Sequence, residues 1–457
     1  MPDENLLESL TKEELIKLIL EQARQILNQD KALKELEKKL SELSKKLKIA
    51  QTPKFVKAAL PQRRRSRPGQ KAGHAGFTRL KPSHIDEIIE QTLKECPDCH
   101  DSLGKSAEVL EHIQEDIVPA TVKVTCFKRH RYWCASCKKM ITAPYHESEV
   151  PHGYLGANVL IQTALLKYHH ALPYQRISEL LEQLTGLRVT EGALAQALQR
   201  LSQWLSVEKK EILKAIRKSP HLHIDETGWR MDGKNHWLWA FVSQKLAYYT
   251  IDKSRARKVP RKVLSSEFKG TITTDFYSAY LKLPGDKQKC LVHLFREMSR
   301  IRDHDDSGEY RIHSKKIKRV LDDAIRLSDK RDLFSIEVYG RRIKFIKDRL
   351  FRIACYPYTN ENLKRLSKRF LTHWLGMLLF LEKPGADWNN NLAERMIRPN
   401  VIYRNRSFGN RSLGGARAHS TMMSLIQTLR LRKKNVFEAL KDAFILHRQG
   451  NPTPVLV

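Results

Sequence analysis

The spacing of hydrophobic positions changes three times along the chain. Between residues 6 and 48 apolar side chains recur every seven residues, and between 155 and 217 they recur at intervals of three and four. Both spacings predict helices, the first with a coiled-coil seam. From residue 219 the pattern becomes that of extended strands, and after residue 300 it is helical again. Several domains of mixed α/β structure are therefore expected.

The coiled-coil seam of the N-terminal helix, within residues 1–50, is strongest in its second half. In the first half Gln22 and Gln29 occupy the second seam position and weaken it. A polar linker follows, so the helix has no obvious core in its own chain, and self-association is favoured over packing on that chain. The apolar seam positions are Ile19, Ile26, Leu33, Leu40 and Leu47, with Leu36 and Leu43 between them.

Residues 151–217 contain three helical patterns, and Thr190 is a plausible cap for the third, which starts at Glu191. A helix-turn-helix arrangement, with this third helix entering DNA, is one interpretation. Packing of the helices on the next domain is the other. We take 151–217 as a helical DNA-binding region.

The extended segment contains three consecutive strand patterns, SPHLHIDETGW, NHWLWAFVSQ and LAYYTIDKSR, with turns at Asp232-Gly233 and near Ser243. A helical stretch at about 258–268 follows. GTITTDFYSAY then predicts a fourth strand, and KCLVHLFREM predicts a fifth strand that runs into a helix. Three antiparallel strands, a helix and two more strands are the order of a ribonuclease H-like sheet. We assign this core to residues 218–403, with a helical insertion at about 300–385, and 404–457 to a C-terminal helical segment.

Three acidic residues have positions that suit a divalent metal site. Asp225 and Asp275 each end a short apolar run, on strands that are neighbours in such a sheet, and Glu394 lies in the helix-like stretch NNNLAERMIRP. Mg²⁺ and Mn²⁺ prefer carboxylate oxygens, and two such ions can activate water and stabilise the leaving 3′-oxygen of a phosphodiester. Asp387 and Glu382 are the alternatives to Glu394 as the third ligand.

The charge of the chain favours a polyanionic partner. Among 457 residues, 83 are Lys or Arg and 51 are Asp or Glu, which leaves a formal net charge of +32. Nucleic acid is the usual partner for such an excess. Residues 51–90 read as a flexible basic linker, and its expected phosphate-binding residues are Arg63, Arg64, Arg65, Arg67 and Lys71.

Four residues near the predicted carboxylate site are further candidates for contact with DNA. His293 and Arg296 follow the fifth predicted strand, and Arg395 and Arg398 follow Glu394. On a helix Arg398 shares a face with Glu394, whereas Arg395 is one step further round. A core, surface or ion-paired role is the alternative for each.

Four of the seven cysteines form two pairs, Cys96-Pro-Asp-Cys99 and Cys134-Ala-Ser-Cys137. Two such pairs supply four thiolates, enough for one structural zinc ion, and predict a zinc-binding β module over 91–150. The stretch His112–Cys134 alternates well enough to predict a hairpin. The start MPDENLLESL has no signal-peptide pattern, and no run approaches the roughly 20 apolar residues of a membrane span. A cytoplasmic protein, associated with the nucleoid when bound to DNA, is expected.

These motifs together resemble the transposases of bacterial insertion sequence family 66. The resemblance covers nearly the whole chain and rests on the leucine-rich helix, RPGQKAGH, CPDC, CASC, HIDETGW, TTDFYSAY, CLVHLFRE, NNNLAERMIRP and the C-terminal RSFGNRSLGGARAHS. It implies a catalytic triad at Asp225, Asp275 and Glu394, zinc ligands at the paired cysteines, and small accessory proteins encoded beside this one.

The leading hypothesis is a DDE transposase that binds terminal inverted repeats, hydrolyses the 3′ ends and joins them to target DNA. One alternative is an inactive, transposase-derived zinc protein that binds DNA as a regulator. The other is a metal-dependent nuclease that cuts without strand transfer. The presence of all three carboxylates argues against the regulator.

Overall fold

The computed structural model describes residues 82–105, 108–115, 117–118, 120–448, 450–451 and 454–456, together with isolated positions between 11 and 39. The chain divides into two units, 1–112 and 113–457, which are taken in turn. Within these described residues no helix is both long and apolar enough to cross a membrane.

The first unit contains the N-terminal helix and the first cysteine pair. The described positions between Glu21 and Lys39 are helical, and Leu33 and Leu36 are exposed there. The other apolar seam positions lie outside the described residues, and so do the predicted linker residues Arg63, Arg64, Arg65, Arg67 and Lys71. Self-association through this helix and phosphate binding by the linker therefore stay predictions.

The second unit begins with a small hairpin. Strand β1 (Arg131–Cys134) pairs antiparallel with β2 (Lys139–Thr142), and the second cysteine pair lies at their turn. The hairpin predicted across His112–Cys134 is wrong. Among the described residues of that stretch only the last four form a strand, and their partner lies after Cys137. Val118 and Val124 are 88% and 90% exposed. Their side chains lack the packing surface that an extended pair needs.

In the described part of the second unit, four α-helices precede the main sheet. The segment that the sequence predicted as a third helix forms two separate helices. The chain changes direction at Leu205, which is fully buried. Thr190 caps the third helix as predicted, because its side chain accepts a hydrogen bond from the Ala193 amide. The helices are α1 (Ala157–Ala164, continued by a π-helical turn, Leu165–His169), α2 (Tyr174–Thr185), α3 (Glu191–Trp204) and α4 (Ser206–Arg217).

These helices pack on the sheet and share its core. Leu198 of α3 and Ile216 of α4 belong to the same buried cluster as Ile224 and Phe241 of the sheet. Packing on the next domain, one of the two interpretations of residues 151–217, is therefore observed. DNA binding by the region stays a prediction.

The main sheet has five strands, with the first in the centre. The strands are β3 (His221–Met231), β4 (Lys234–Val242), β5 (Ala247–Asp252), β6 (Thr271–Thr274) and β7 (Asp286–Lys289), with helix α5 (Lys258–Leu264) between β5 and β6. The order across the sheet is β5-β4-β3-β6-β7. The pairs β3/β4 and β4/β5 are antiparallel, whereas β3/β6 and β6/β7 are parallel. The order of these elements along the chain, and the pairing of the first strand with the fourth, are as the sequence predicted. The position of the fifth strand was predicted wrongly, because β7 ends at Lys289 and the apolar run after it is helical from Leu291.

The segment predicted as a helical insertion is helical and has its own core. Its helices are α6 (Leu291–Arg302), α7 (Gly308–Asp329), α8 (Ile336–Ala354), α9 (Glu361–Met377) and α10 (Leu379–Glu382). Leu294, Leu321, Leu350 and Phe370 lie in a buried cluster separate from that of the sheet. The insertion can therefore pack without taking residues from the main core.

Three helices complete the chain: α11 (Asn391–Ser407), α12 (Leu413–Leu431) and α13 (Val436–His447). Helix α12 covers the edge strand β5. The amides of Ala247 and Tyr249 donate to the hydroxyls of Thr428 and Ser424 at 3.0 and 2.9 Å. Side chains of a buried helix thus satisfy strand donors that would otherwise remain open to pairing with another chain.

Candidate active site

Strands β3 and β6 bring Asp225 and Asp275 to the same level of the sheet. His223 pairs with Thr273 in the parallel register, and each aspartate lies two residues further along its own segment. Each carboxylate is also held by nearby backbone. The Asp225 Oδ1 atom accepts from the Glu226 amide and the Asp275 Oδ1 atom from the Tyr277 amide, both at 2.9 Å. The predicted side-by-side placement is observed.

Glu394 lies in the first turn of α11, and the start of that helix is fixed to β3. The fully buried Asn390 precedes the helix, and its side-chain amide donates to the Ile224 carbonyl at 2.9 Å. Ile224 is the residue before Asp225. This bond therefore links the strand that carries one carboxylate to the helix that carries another.

The three carboxylates are close enough to affect one another electrostatically. Burial, together with the charges of Glu226, Asp275 and Glu394, raises the pKa of Asp225 to about 8. A buried carboxyl group surrounded by like charges favours its neutral form unless a cation is present. The donor set of three carboxylates fits a hard divalent cation.

Glu394 is engaged by two residues of α6 that the sequence analysis placed near DNA. The Arg296 guanidinium donates to both carboxylate oxygens, at 3.0 and 3.1 Å, and the His293 Nε2 atom lies 3.7 Å from Oε1. The hydrogen bond to Glu394 raises the pKa of Arg296. In this structure both residues therefore face the carboxylate.

Replacing Arg296 by Ala is expected to tighten Mn²⁺ binding to the DNA-free protein by about two- to fivefold, the range expected for release of a partly exposed ion pair. A metal ion at the predicted carboxylate site would compete with Arg296 for the Glu394 oxygens. Calorimetric titration of the zinc-loaded protein measures the effect, with Arg300→Ala, an exposed arginine one turn further along α6, as the control. Weaker Mn²⁺ binding in the Arg296 variant would mean that Arg296 positions Glu394 and does not block it.

A second group of possible metal ligands lies beside these carboxylates. One donor atom each of His221, His223 and Asp387 lie within 4.8 Å of one another. His223 is 1% exposed, its Nε2 atom is 3.0 Å from the Asp387 Oδ2 atom, and its Nδ1 atom is 3.2 Å from the Asn390 Oδ1 atom. Protein groups therefore already occupy both nitrogens of His223, and the contacts join β3 to the turn before α11.

The two alternatives considered for the third carboxylate have other partners. The hydrogen bond from His223 lowers the pKa of Asp387, helped by the positive charges of nearby residues that include Arg395. Glu382 is ion-paired with Lys347 of the insertion. Glu394, by contrast, contributes to the electrostatic environment of Asp225. Arg395 and Arg398 are both exposed.

Lys289 is a member of this site that the sequence analysis missed. Its side chain is almost fully buried, and its Nζ atom donates to the Asp275 carbonyl at 2.9 Å and to the Thr274 hydroxyl at 3.3 Å. Burial lowers the pKa of Lys289 to about 8. The sequence offered only a weak signal, a lysine directly before the apolar run that starts at Cys290.

The two cysteine pairs lie in the two separate units, and each has the local structure of a turn. In the first, the His100 amide donates to the Cys96 carbonyl at 2.8 Å. In the second, the Cys137 amide points at the Cys134 sulfur at 3.4 Å. Backbone hydrogen bonds from Cys99 and Cys137 lower the pKa values of the Cys96 and Cys134 thiols. Each pair therefore favours the thiolate that binds metal.

Comparison with known proteins agrees with these features. Residues 152–418 match the model of a family described as the Transposase IS66 family, and residues 94–138 match the zinc-finger binding domain of transposase IS66. The chain is 24% identical to the uncharacterized protein y4jD of Sinorhizobium fredii over 84% of this chain and 80% of that protein. It is 22% identical to the uncharacterized protein y4qI of the same organism, over 74% and 68%. The match to the Transposase IS66 family covers more than half of the sequence. This chain therefore belongs to the IS66 family of transposases.

Proposed function

We propose that the protein is a DDE transposase whose catalytic carboxylates are Asp225, Asp275 and Glu394. In this proposal it binds the terminal inverted repeats of an insertion sequence, hydrolyses the 3′ ends and transfers them to target DNA. The proposal rests on the geometry of the site, in which β3 and β6 pair in parallel beside Asp225 and Asp275 and Asn390 bonds the start of the Glu394 helix to β3. The raised pKa of Asp225 agrees with it, because an anionic cluster of this kind suits a bound cation. The strand order supports assigning the sheet as a ribonuclease H-like core.

The three carboxylates would hold two divalent ions, Mg²⁺ or Mn²⁺, which when bound supply an activated water and charge stabilisation at the leaving 3′-oxygen. The protein's own residues keep the carboxylates in place. Backbone amides hold Asp225 and Asp275, and Asn390 fixes the helix that carries Glu394. Lys289 holds the backbone of Asp275 from within the core.

Arginine contacts in the site favour a phosphate-containing substrate. Arg296 presents a two-pronged guanidinium that carboxylate and phosphate oxygens accept equally well. With a metal ion on Glu394, Arg296 and His293 would contact the DNA backbone. Arg395 and Arg398, exposed on the helix that carries Glu394, would contact neighbouring phosphates, and Arg63, Arg64, Arg65, Arg67 and Lys71 would do so from the linker.

Cys96, Cys99, Cys134 and Cys137 are proposed as the ligands of one structural zinc ion, since the zinc-finger family match covers all four. Replacing Cys134 by Ser is expected to lower zinc from about one ion per chain to nearly none, because a closed zinc site needs four ligands. Elemental analysis of the purified protein measures the metal. Cys126→Ser, at an exposed lone cysteine, is the control. Zinc retained in the Cys134 variant would contradict the ligand set.

The proposed cellular setting follows from the same chemistry. The partner would be double-stranded DNA, as terminal repeats and as target, in the bacterial cytoplasm. The N-terminal helix would mediate homo-oligomerisation, and accessory proteins encoded by the same element would assist. A strand-transfer assay on DNA that carries the element ends tests this proposal. Joined products support it, hydrolysis without joining favours the nuclease, and binding without cleavage favours the regulator.

In that assay Glu394→Gln is expected to reduce cleavage about a thousandfold, as expected for loss of a metal ligand. Asp387→Asn is expected to reduce it much less, because Asp387 contacts His223 in the structure. Both changes remove one negative charge within the same short segment, so they control for each other. If the Asp387 variant lost cleavage and the Glu394 variant kept it, Asp387 would be the third ligand.

A further inference from the structure

Glu226, next to Asp225, holds a buried charge with an identified partner. Strand alternation directs it to the opposite face of β3, and its side chain is only 2% exposed. The Tyr280 hydroxyl donates to one of its oxygens and the Arg255 Nε atom to the other, the latter at 2.9 Å. Burying a carboxylate is costly unless its oxygens are paired. Arg255 supplies the opposite charge.

Arg255 is held by far more than this ion pair. Its guanidinium lies over two aromatic rings, 4.5 Å from the Trp237 ring centroid and 4.3 Å from that of Tyr277. The Tyr277 hydroxyl also donates to the Arg255 carbonyl at 3.3 Å. Stacking of the Arg255 guanidinium on two rings removes most of the conformational freedom that an exposed arginine normally keeps.

The immobilised guanidinium remains accessible and lies next to the proposed catalytic residues. The Arg255 side chain is 43% exposed, although Glu226 and the two rings surround it. Tyr277, whose ring it stacks on, is also the residue whose backbone amide holds the Asp275 carboxylate. A guanidinium has five N–H groups, and Glu226 accepts from only part of this fork. The exposure of the side chain leaves part of the fork open to solvent.

We propose that Arg255 is a preorganised binding residue for a DNA phosphate that flanks the reacting one. This inference rests on the proposed function, because it places DNA at the three carboxylates. A stacked, ion-paired arginine loses little further entropy when it binds a phosphate. An arginine that served only to neutralise Glu226 would not need its remaining N–H groups open to solvent.

The experiment separates phosphate binding from neutralisation of Glu226. The full-length protein carries Arg255→Ala alone, or Arg255→Ala together with Glu226→Gln. The single variant leaves a buried carboxylate without its cation, so its melting temperature falls. The double variant removes that carboxylate charge, and most of the melting temperature returns. Its remaining defects therefore report the loss of the Arg255 contact itself.

Binding to a labelled DNA duplex of arbitrary sequence is measured without added divalent metal over a range of salt concentrations. In the double variant we expect binding to be weaker by roughly tenfold, as for one charged hydrogen bond. We also expect the slope of log affinity against log salt to fall by about one, as for one lost phosphate contact. Glu226→Gln alone, which keeps Arg255, retains the wild-type slope.

A wild-type slope and affinity in the double variant would overturn the inference and leave the proposed function intact. If the wild-type protein bound no duplex at all, the proposed function would be contradicted as well. Arg255→Lys adds a third comparison. Because lysine keeps the charge but loses the planar fork, it is expected to restore the salt slope and only part of the affinity.

Discussion

Replacing Asp225 by Asn is expected to abolish strand cleavage, by about a thousandfold or more, and at the same time to stabilise the metal-free protein. The loss of cleavage follows from the loss of a proposed metal ligand. The gain in stability follows from burial and from the neighbouring acidic charges, which raise the pKa of this carboxyl to about 8. Asn has a similar shape and no charge to lose or gain.

The sign of the stability change depends on pH. The native state binds the Asp225 proton more tightly than the unfolded state, whose pKa is about 3.9. The free energy of unfolding contributed by this group therefore falls as the pH rises from about 4 to about 8. The Asn variant avoids that loss, so its melting temperature should exceed that of wild type by a few degrees near pH 8, and the difference should disappear near pH 4.

Scanning calorimetry at several pH values, combined with a cleavage assay, measures both effects. Asp286→Asn is the control, since Asp286 lies on β7 of the same sheet but is half-exposed and pairs with Lys383 at 3.1 Å. It should change neither cleavage nor, by much, the melting temperature. If the Asp225→Asn protein were less stable than wild type at pH 8, the ionised Asp225 carboxylate would not be destabilising the metal-free protein.

Binding of Mn²⁺ to the zinc-loaded protein is expected to release close to one proton near neutral pH. Asp225 is mostly protonated in the metal-free state below about pH 8, and a carboxylate must be ionised to bind metal. The apparent affinity should therefore rise about tenfold per pH unit below that value and then level off. Calorimetric titrations in buffers with different ionisation enthalpies count the released protons.

The Asp225→Asn protein is the control for this second expectation. It should bind Mn²⁺ more weakly and release far fewer protons per bound ion, because the carboxyl group that titrates has been replaced. An affinity that does not change between acidic and mildly alkaline pH would mean that Asp225 is already ionised in the folded, metal-free protein. In that case the raised pKa of Asp225 could not account for a stabilising effect of Asn.

Local sequence was a sound basis for predicting the elements of the core. The first four strands and the turn at Asp232-Gly233 are observed where they were predicted, and both turn residues have positive φ angles, as a tight two-residue hairpin requires. The fifth strand lies just before the segment predicted for it, because the apolar run after Lys289 forms a helix. Alternation and turn residues are local properties, so they can be recognised without knowing the fold. The hairpin predicted after His112 failed because alternation alone does not provide a surface on which the strands can pack.

The sequence by itself determined the family motifs, the strand that carries Asp225, the strand that Asp275 follows, the helix that carries Glu394 and the basic charge of the chain. Only the tertiary structure decided which groups each of these meets. Arg296 reaches Glu394 across 98 residues, Asp387 reaches His223 across 164, and Arg255 reaches Glu226 across 29. Periodicity fixes the face on which a side chain lies. The partner on that face depends on how helices and strands pack, which no local pattern encodes.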